Sequence, residues 1–195
     1  MNRIIIFLLL ISSININAKN MNGIMNERPK LKHSTFLMRT VVINKPVDSV
    51  FNYIVYDLKN NYTAMAEGHI KYELINSNYL KVGTEIDCRE KAANQTIHHI
   101  YRVEKIIPNE HIFYHSSPSK VFIELPRKTI EASSNTYVYY DFKKNDNTTT
   151  SLQMIIAIQF DSSFQKFFSI IVGSIKPWRI HQKEELENLK TLIEN

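Results

Sequence analysis

The sequence has few of the residues that several common functional motifs require. It contains one cysteine, Cys88, among 195 residues, so an internal disulfide is excluded and packing must stabilise the fold. Its four glycines form no glycine-rich loop of the kind that holds nucleotide phosphates. There are also no internal repeats and no low-complexity segments. These absences leave no sequence support for a nucleotide or redox cofactor, and we expect none.

Positive charge is present but is not concentrated in one region. The chain has 24 Lys and Arg against 19 Asp and Glu, a net charge of +5. The basic residues occur singly or in pairs such as Lys143 and Lys144. Nucleic-acid-binding domains usually carry a basic stripe or patch. We therefore expect no nucleic-acid partner.

The longest apolar run lies at the N-terminus, at residues 4–11, where it follows Arg3. It is too short to span a hydrocarbon core about 30 Å thick, and Ala18 is a small residue suited to a signal cleavage site. We predict that residues 1–18 are a signal peptide and that the protein is exported, to the periplasm or the exterior. The alternative is an uncleaved N-terminal membrane anchor. Residues 19–34 are predicted to be a polar leader or linker before one domain, 35–195.

The domain begins with a strand and then changes to a helical pattern. β-Branched residues occupy 40–43, whereas the segment PVDSVFNYIVYDL, which begins at Pro46, has apolar residues at helical spacing. Proline suits a first helical turn because its missing N–H would have no partner there. The following segment, up to Gly68, is predicted to be a loop or a second short helix.

After Gly68 the hydrophobic period falls to two, which predicts strands separated by turns. The strand segments are HIKYELIN, TEIDCREK, QTIHHIYRVEKII, HIFYHS, KTIEASSNTYVYYDF and TTSLQMIIAIQF. Residues 117–127, which contain prolines, are predicted to be a loop or an irregular edge. From about Ser162 onward, apolar residues at three- and four-residue steps predict a long helix with a kink near Gly173 and Pro177.

Together these elements predict an α+β fold. A curved antiparallel sheet of six to seven strands would wrap around the long C-terminal helix, with one or two short helices after the first strand. A helix laid across a concave sheet leaves a gap wherever side chains do not meet, and that gap can form a hydrophobic cavity.

Four segments are informative when taken in order and spacing: VVINKPVDSVFNYIVYD, YLKVGTEID, YRVEKIIPNEHIFYH and ELENLKTLIEN. Together they resemble the helix-grip fold of the START-like, or SRPBCC, superfamily, which includes polyketide cyclase-like and pollen-allergen-like proteins. The resemblance covers about 35–195 and departs from the common pattern after the first helix, where many relatives have Trp-Pro and this chain has Tyr62 without a proline. It implies a cavity for a hydrophobic small molecule or a lipid.

Strand alternation indicates which residues would line that cavity. The candidates are Tyr72, Cys88, His99, Tyr101, Thr136, Tyr140, Met154 and Ile156 on the sheet, with Phe168, Ile171 and Ile175 on the helix. The alternative is a filled core in which the polar groups satisfy one another. The leading hypothesis is an exported protein that holds a hydrophobic small molecule or lipid without transforming it.

His99 is the catalytic candidate, because an imidazole on an apolar strand face could act as a general base. If residues 91–94 form the hairpin turn, Cys88 and His99 are diagonal neighbours, and a nucleophile pair is geometrically conceivable. The alternatives are a satisfied core histidine and a buried, inert thiol. The rival functions are a cyclase- or dehydratase-like enzyme that uses His99 or a cavity tyrosine, and a cell-envelope interaction protein without a ligand.

Histidine pairs raise the question of a metal site. His98 and His99 are adjacent on a predicted strand and point to opposite faces. His111 and His115 would be about 13 Å apart on a strand, too far for one ion. We therefore predict no metal site at these pairs or elsewhere.

The segment 164–178 is apolar on more than one face. Phe164, Phe168, Ile171 and Ile175 would suffice for packing on the sheet, which leaves Phe167, Ile170 and Val172. These three residues either contact the first helix and nearby loops, or form a ligand portal or a patch that touches a membrane or a partner.

Overall fold

The computed structural model describes residues 31–171 and 175–195. The predicted signal peptide (1–18), most of the predicted leader, and Val172 and Gly173 lie outside the described residues, as do the side chains of Phe168 and Ile171. Residues 32–195 belong to one folding unit. Among the helices that the structure describes, none is both long enough and apolar enough to cross a bilayer.

The described chain runs from a strand through short helices into a series of strands and ends in helices. The strands are β1 (Ser34–Ile43), β2 (His69–Leu74), β3 (Glu85–Ala92), β4 (Gln95–Ile107), β5 (His111–Leu125), β6 (Lys128–Lys144) and β7 (Thr150–Gln159). The helices are α1 (Val47–Asn52), α2 (Leu58–Met65), α3 (Ser163–Ile171) and α4 (Ile175–Glu194), and a π-helical turn (Tyr53–Asp57) joins α1 to α2.

Pro46 starts the first helix, as its position in the sequence predicts. It is the N-cap residue of α1, and its carbonyl accepts a hydrogen bond of 3.1 Å from the Val50 amide. Val50 and Ile54 then lie one turn apart and are buried. The spacing of apolar residues after the proline therefore directs one helical face into the core.

All seven strands form one antiparallel sheet in the order β1-β7-β6-β5-β4-β3-β2. The first strand pairs with the last, while the strands between them follow one another as hairpins. Helix α4 packs against β1, β3 and α2. The predicted α+β helix-grip architecture is confirmed.

The hydrophobic core lies between the sheet, the short helices and α4. Leu186, Leu189 and Ile193 of α4 share one cluster with Val50 and Leu58 of the short helices. Near the start of α4, a smaller cluster is formed by Leu37, Ala92, Ile97, Ile158, Ile175 and Trp178. Burying a leucine of this kind contributes about 1.5–3 kcal/mol, so the last helix is an integral part of the core.

The prediction of a loop or irregular edge at 117–127 is wrong. Strand β5 continues to Leu125 and pairs with β4 on one side and β6 on the other. Its register with β6 shifts between Ser116 and Ser119, around Pro118. Proline has no N–H for the ladder and is tolerated at a bulge. The bulge breaks the two-residue alternation, which is why the strand was not visible in the pattern.

The predicted hairpin register between β3 and β4 is also wrong. The turn contains two residues, Ala93 and Asn94, because Ala92 pairs directly with Gln95, and Ala93 has a φ of 54°. Cys88 therefore lies directly opposite His99, whereas the predicted four-residue turn would have made the two residues diagonal neighbours. Shortening the turn moves the register of the whole hairpin.

Candidate functional site

Most of the predicted lining residues converge at the centre of the domain. A central cavity of about 30 Å³ is lined in part by Tyr72, Cys88, His99, Tyr101, Thr136, Met154 and Ile156. Tyr140 is buried but is not among the residues described as lining this cavity. Ile175 lines a different pocket.

The central cavity is much smaller than a ligand requires. Its volume of about 30 Å³ is room for about two water molecules, whereas small-molecule sites are typically about 300–1,000 Å³. Large buried aromatic side chains, among them Tyr62, Tyr101 and Tyr114, occupy the space. At the centre, the filled-core alternative therefore describes the molecule better than an open cavity.

The centre is also more polar than the sequence analysis anticipated. We define the central cluster as Tyr62, His69, Cys88, Glu90, His181 and Glu185. Within it, the Glu90 carboxylate accepts hydrogen bonds from the Tyr62 hydroxyl and from the Cys88 thiol, the latter at 3.3 Å. The Tyr62 hydroxyl and Cys88 Sγ are 3.2 Å apart. These contacts fix the position of the Glu90 carboxylate, whose side chain is 14% exposed.

Two carboxyl groups of the central cluster have opposite electrostatic environments. Burial opposes the ionisation of Glu90, but the positive charges that His69, His99 and His181 carry when protonated outweigh it and bring its pKa below the ordinary range. For Glu185, burial and then the nearby Glu90 charge both act to raise its pKa well above the ordinary value. Ionisation is therefore favoured at Glu90 and opposed at Glu185.

His69 is held in one orientation and one tautomer. Its ring stacks on Tyr62, with centroids 3.9 Å apart and an interplanar angle of 6°. Nδ1 is 2.7 Å from the Tyr62 carbonyl oxygen, and since a carbonyl only accepts, Nδ1 must carry the proton. The neutral ring therefore has a lone pair on Nε2.

His99 and Cys88 have separate hydrogen-bond partners. His99 Nδ1 is 2.8 Å from the Ser119 hydroxyl, and its ring stacks on Tyr101. Burial, partly offset by Glu90, lowers the pKa of His99 to about 4. Burial also raises the pKa of the Cys88 thiol well above its ordinary value. The conceivable nucleophile pair is thus replaced by a neutral imidazole bonded to serine and a protonated thiol bonded to Tyr62 and Glu90.

The two histidine pairs that were considered as metal ligands do not form metal sites. His98 Nε2 is 2.9 Å from Asp87 Oδ1, whereas His99 points into the core. His111 Nδ1 is 2.6 Å from Asp141 Oδ1, while His115 Nδ1 is 3.5 Å from Glu104. Each histidine is thus paired locally with a different neighbour.

A second pocket lies where β4–β7 extend past the central cluster. We call it the distal pocket; its volume is about 220 Å³. It is lined by Gln95, Ile97, Val121, Ile123, Ile130, Ala132, Ser133, Ser134, Ile158, Phe160, Gln165, Ser169, Ile175 and Trp178. Trp178 is oriented by a hydrogen bond of 3.0 Å from Nε1 to Gln95 Oε1. The wall is mostly aliphatic and aromatic, as in sites for apolar ligands.

Helix α3 exposes apolar side chains close to the distal pocket. Gln165 and Ser169 of α3 line the pocket, while Phe164, Phe167 and Ile170 are 74%, 61% and 54% exposed. Of the residues left over in the sequence analysis, Phe167 and Ile170 thus face solvent, and Val172 lies outside the described residues.

Sequence reasoning did not identify most of the central cluster. Two patterns could have indicated it. Glu90 alternates with Ile86 and Cys88 and so lies on the same face of their strand, and His181 and Glu185 are four residues apart and so lie on one face of a predicted helix. No sequence pattern indicated His69, because it reaches the central cluster only through the pairing of β2 with β3 and its contact with His181 of α4.

Comparison with solved structures relates the fold to known proteins. The chain is similar to the Zhui aromatase/cyclase from Streptomyces sp. R1128, with a TM-score of 0.60 and 12% identity, over 83% of this chain and 94% of that one. For a START superfamily protein from Mycobacterium smegmatis the TM-score is 0.55 at 11% identity, over 82% and 97% of the two chains. For the ginseng major latex-like protein 151 from Panax ginseng it is 0.51 at 7% identity, over 76% and 97%.

The similarity lies in the fold, because no protein-family model and no curated protein matches the sequence. The structural matches agree with the fold that the resemblance in the sequence implies. The chain has the START-like, or SRPBCC, helix-grip fold.

Proposed function

We propose that this protein is an exported binding protein that holds a small hydrophobic molecule in the distal pocket without transforming it. The observation that carries the proposal is an apolar pocket of about 220 Å³ beside a centre that has room for about two waters. The helix-grip fold, which supports hydrophobic ligand binding, points the same way. Export rests on the predicted signal peptide, and the intact mass of the secreted protein would show whether residues 1–18 are removed.

Apolar burial would supply the driving force. A ligand that buries about 200 Å² of apolar surface gains roughly 5 kcal/mol before the costs of association. Polar groups at the pocket wall would orient it, and Gln95, Ser134 and Gln165 are placed to do so. The pocket is below the usual size range, which favours a compact ligand over a long lipid chain.

Filling the distal pocket should weaken ligand binding. Ala132 lines the pocket and its side chain is exposed, so Ala132→Trp places an indole in the ligand's space with little disturbance of the core. We expect binding of an apolar fluorescent dye such as ANS to weaken at least about tenfold, the effect of losing roughly 1.4 kcal/mol. Fluorescence titration would measure it, and native mass spectrometry would look for a co-purified molecule.

Glu131→Trp is the matched control for that substitution. Glu131 is adjacent on β6, is exposed and is not among the described lining residues of the pocket. It should bind the dye as the wild type does. Equal binding by Ala132→Trp and wild type would show that the distal pocket is not the site.

The rival enzyme hypothesis would require a substrate beside His99 or the buried tyrosines. The central cavity of about 30 Å³ leaves no space there for one. His99→Ala distinguishes the hypotheses: a binding protein keeps ligand uptake and has no turnover to lose. A cell-envelope protein without a ligand would yield neither a co-purified molecule nor dye binding.

We further propose that α3 touches a lipid surface and so gives an apolar ligand access to the pocket. Phe164 and Phe167 are largely exposed, and Lys166 lies between them. Exposed aromatic and basic residues on one helix favour binding to anionic interfaces. Co-sedimentation with phosphatidylcholine–phosphatidylglycerol vesicles should fall about tenfold or more when both phenylalanines are changed to Asp.

Val82→Asp provides the comparison for the vesicle experiment. Val82 is 61% exposed and precedes β3, well separated in sequence from α3. It should leave vesicle binding unchanged. If Val82→Asp and the double phenylalanine variant lose the same fraction of binding, general surface hydrophobicity and not α3 would account for it.

A further inference from the structure

Three buried side chains from two separate parts of the chain meet beside the start of β2. His69 begins β2, whereas His181 and Glu185 lie one turn apart on α4. Each of the three side chains is more than nine-tenths buried. Each side chain offers one possible ligand atom, and these three atoms all lie within 4.8 Å of one another.

We propose that His69, His181 and Glu185 bind a divalent transition-metal ion such as Zn²⁺. Imidazole and carboxylate groups are the ligands that zinc takes in three-ligand protein sites with two histidines and a glutamate. The histidines favour a transition metal over Mg²⁺ or Ca²⁺, which prefer oxygen ligands throughout. This site is distinct from the distal pocket and does not depend on the proposed hydrophobic ligand.

Two buried nitrogen atoms have no hydrogen-bond partner within the described part of the chain: Nε2 of His69 and Nε2 of His181. Buried polar atoms are nearly always satisfied, so each exception calls for an explanation. For His69, the bond from Nδ1 to the Tyr62 carbonyl leaves the lone pair on Nε2. A lone pair that is buried, oriented and without a donor is the electronic requirement for a metal ligand.

The surroundings resemble the supporting interactions of known metal sites. A ligating histidine usually donates its other N–H to a carbonyl or a carboxylate, which fixes the ring, and His69 does this with Tyr62. The rings of His69 and His181 are in edge contact, 4.9 Å between centroids. In a tetrahedral site with bonds of about 2.0–2.1 Å, neighbouring donors are roughly 3.3 Å apart. Side-chain shifts of about 1 Å would therefore bring the donors into place.

Charge balance and access also fit a dication. Glu90 Oε2 is 3.8 Å from His181 Nε2, so a second carboxylate adjoins the three ligands. When Glu185 gives up its proton to bind the ion, two carboxylates and two neutral imidazoles carry a charge of −2, which a divalent ion neutralises in a buried place where unpaired charge is unfavourable. A surface cleft lined in part by Glu67, Gly68, Lys91 and His181 offers a path for entry.

The test is a titration of the full, tag-free protein with Zn²⁺ by calorimetry, and with Co²⁺ by visible absorption, after treatment with a chelator. We expect one ion per chain, a rise in melting temperature on binding, and binding at least about 100-fold weaker in Glu185→Gln and His181→Gln. His98→Gln, on the outer face of β4, should bind as the wild type does. Circular dichroism of each metal-free variant would confirm that it is folded.

The wild-type protein alone also decides the question if a variant fails to fold. Binding of Zn²⁺ should shift the side-chain ¹⁵N resonances of His69 and His181 and leave those of His98 and His111 unchanged. The proposal is overturned if no stoichiometric binding occurs, if the ion shifts other histidines, or if Glu185→Gln binds as tightly as His98→Gln.

Discussion

Replacing Gly68 with alanine is expected to lower the free energy of unfolding by about 3 kcal/mol or more. A Cβ at this position would lie 1.9 Å from the Lys91 carbonyl oxygen and 3.1 Å from His181 Cε1. The Lys91 oxygen is backbone, and the Lys91 amide also donates to the Gly68 carbonyl at 2.7 Å. The strand cannot retreat without losing that bond, and domains are stable by only about 5–15 kcal/mol.

Gly83→Ala is the matched control for Gly68→Ala. Gly83 has a φ of 85°, and a Cβ there would meet no described atom within 4 Å. Its cost is therefore backbone strain alone, about 1 kcal/mol. Urea unfolding followed by the fluorescence of the single tryptophan, Trp178, would compare the two variants. If both lose the same stability, close backbone contact at Gly68 is not the cause.

Acidification should reveal His99 as a pH-dependent element of stability. In the folded protein its pKa is about 4, whereas in an unfolded chain a histidine titrates near 6.5. Between these values the unfolded state binds more protons, so stability present above pH 6.5 is lost as the pH falls toward 4. A pKa shift of this size corresponds to about 3 kcal/mol of the free energy of unfolding once it is fully lost.

The contribution of His99 is isolated by comparison with His99→Gln. At pH 7 the variant should be less stable than the wild type, and this deficit should shrink by about 3 kcal/mol on going to pH 4. Glu185 is present in both proteins, and His99 is not among the groups that shift its pKa, so its own titration largely cancels in the difference. Urea unfolding in the presence of a chelator keeps metal ions out of the comparison.

Tyr101→Phe serves as the control for the pH experiment. It changes the ring that stacks on His99 but keeps the imidazole, and burial raises the pKa of Tyr101 well above 10, outside the range studied. Its deficit should be the same at pH 7 and pH 4. A His99→Gln deficit that is equally constant would mean that His99 is not the group responsible.

The fold was largely predictable because the patterns involved are local. Alternation along β4 correctly placed the candidates His99 and Tyr101 on the buried face. Pro46 marked the start of α1, and the three- and four-residue spacing after Ser162 marked the closing helices. The errors arose where one residue alters the local geometry, at the Pro118 bulge and the two-residue turn at Ala93.

The site was less predictable because it depends on distances between segments. Alternation showed which residues face inward, and seven of the predicted lining residues surround the central cavity. It could not show that tyrosines would fill that cavity to about 30 Å³, since volume depends on how far α4 stands from the sheet. The distal pocket likewise depends on the extension of β5 past its bulge, which brings Val121 and Ile123 to its wall.

By itself, the sequence determined the order of the elements, the faces they bury and hence the helix-grip fold, because hydrophobic periodicity acts within each segment. Only the tertiary structure decided that the centre is small and polar, and that apolar space lies toward one end of the sheet. It also decided that His69, His181 and Glu185 meet. The physical reason is that strand register and helix position bring distant residues to within a few ångströms of one another, and those relations are not encoded by any single stretch of the chain.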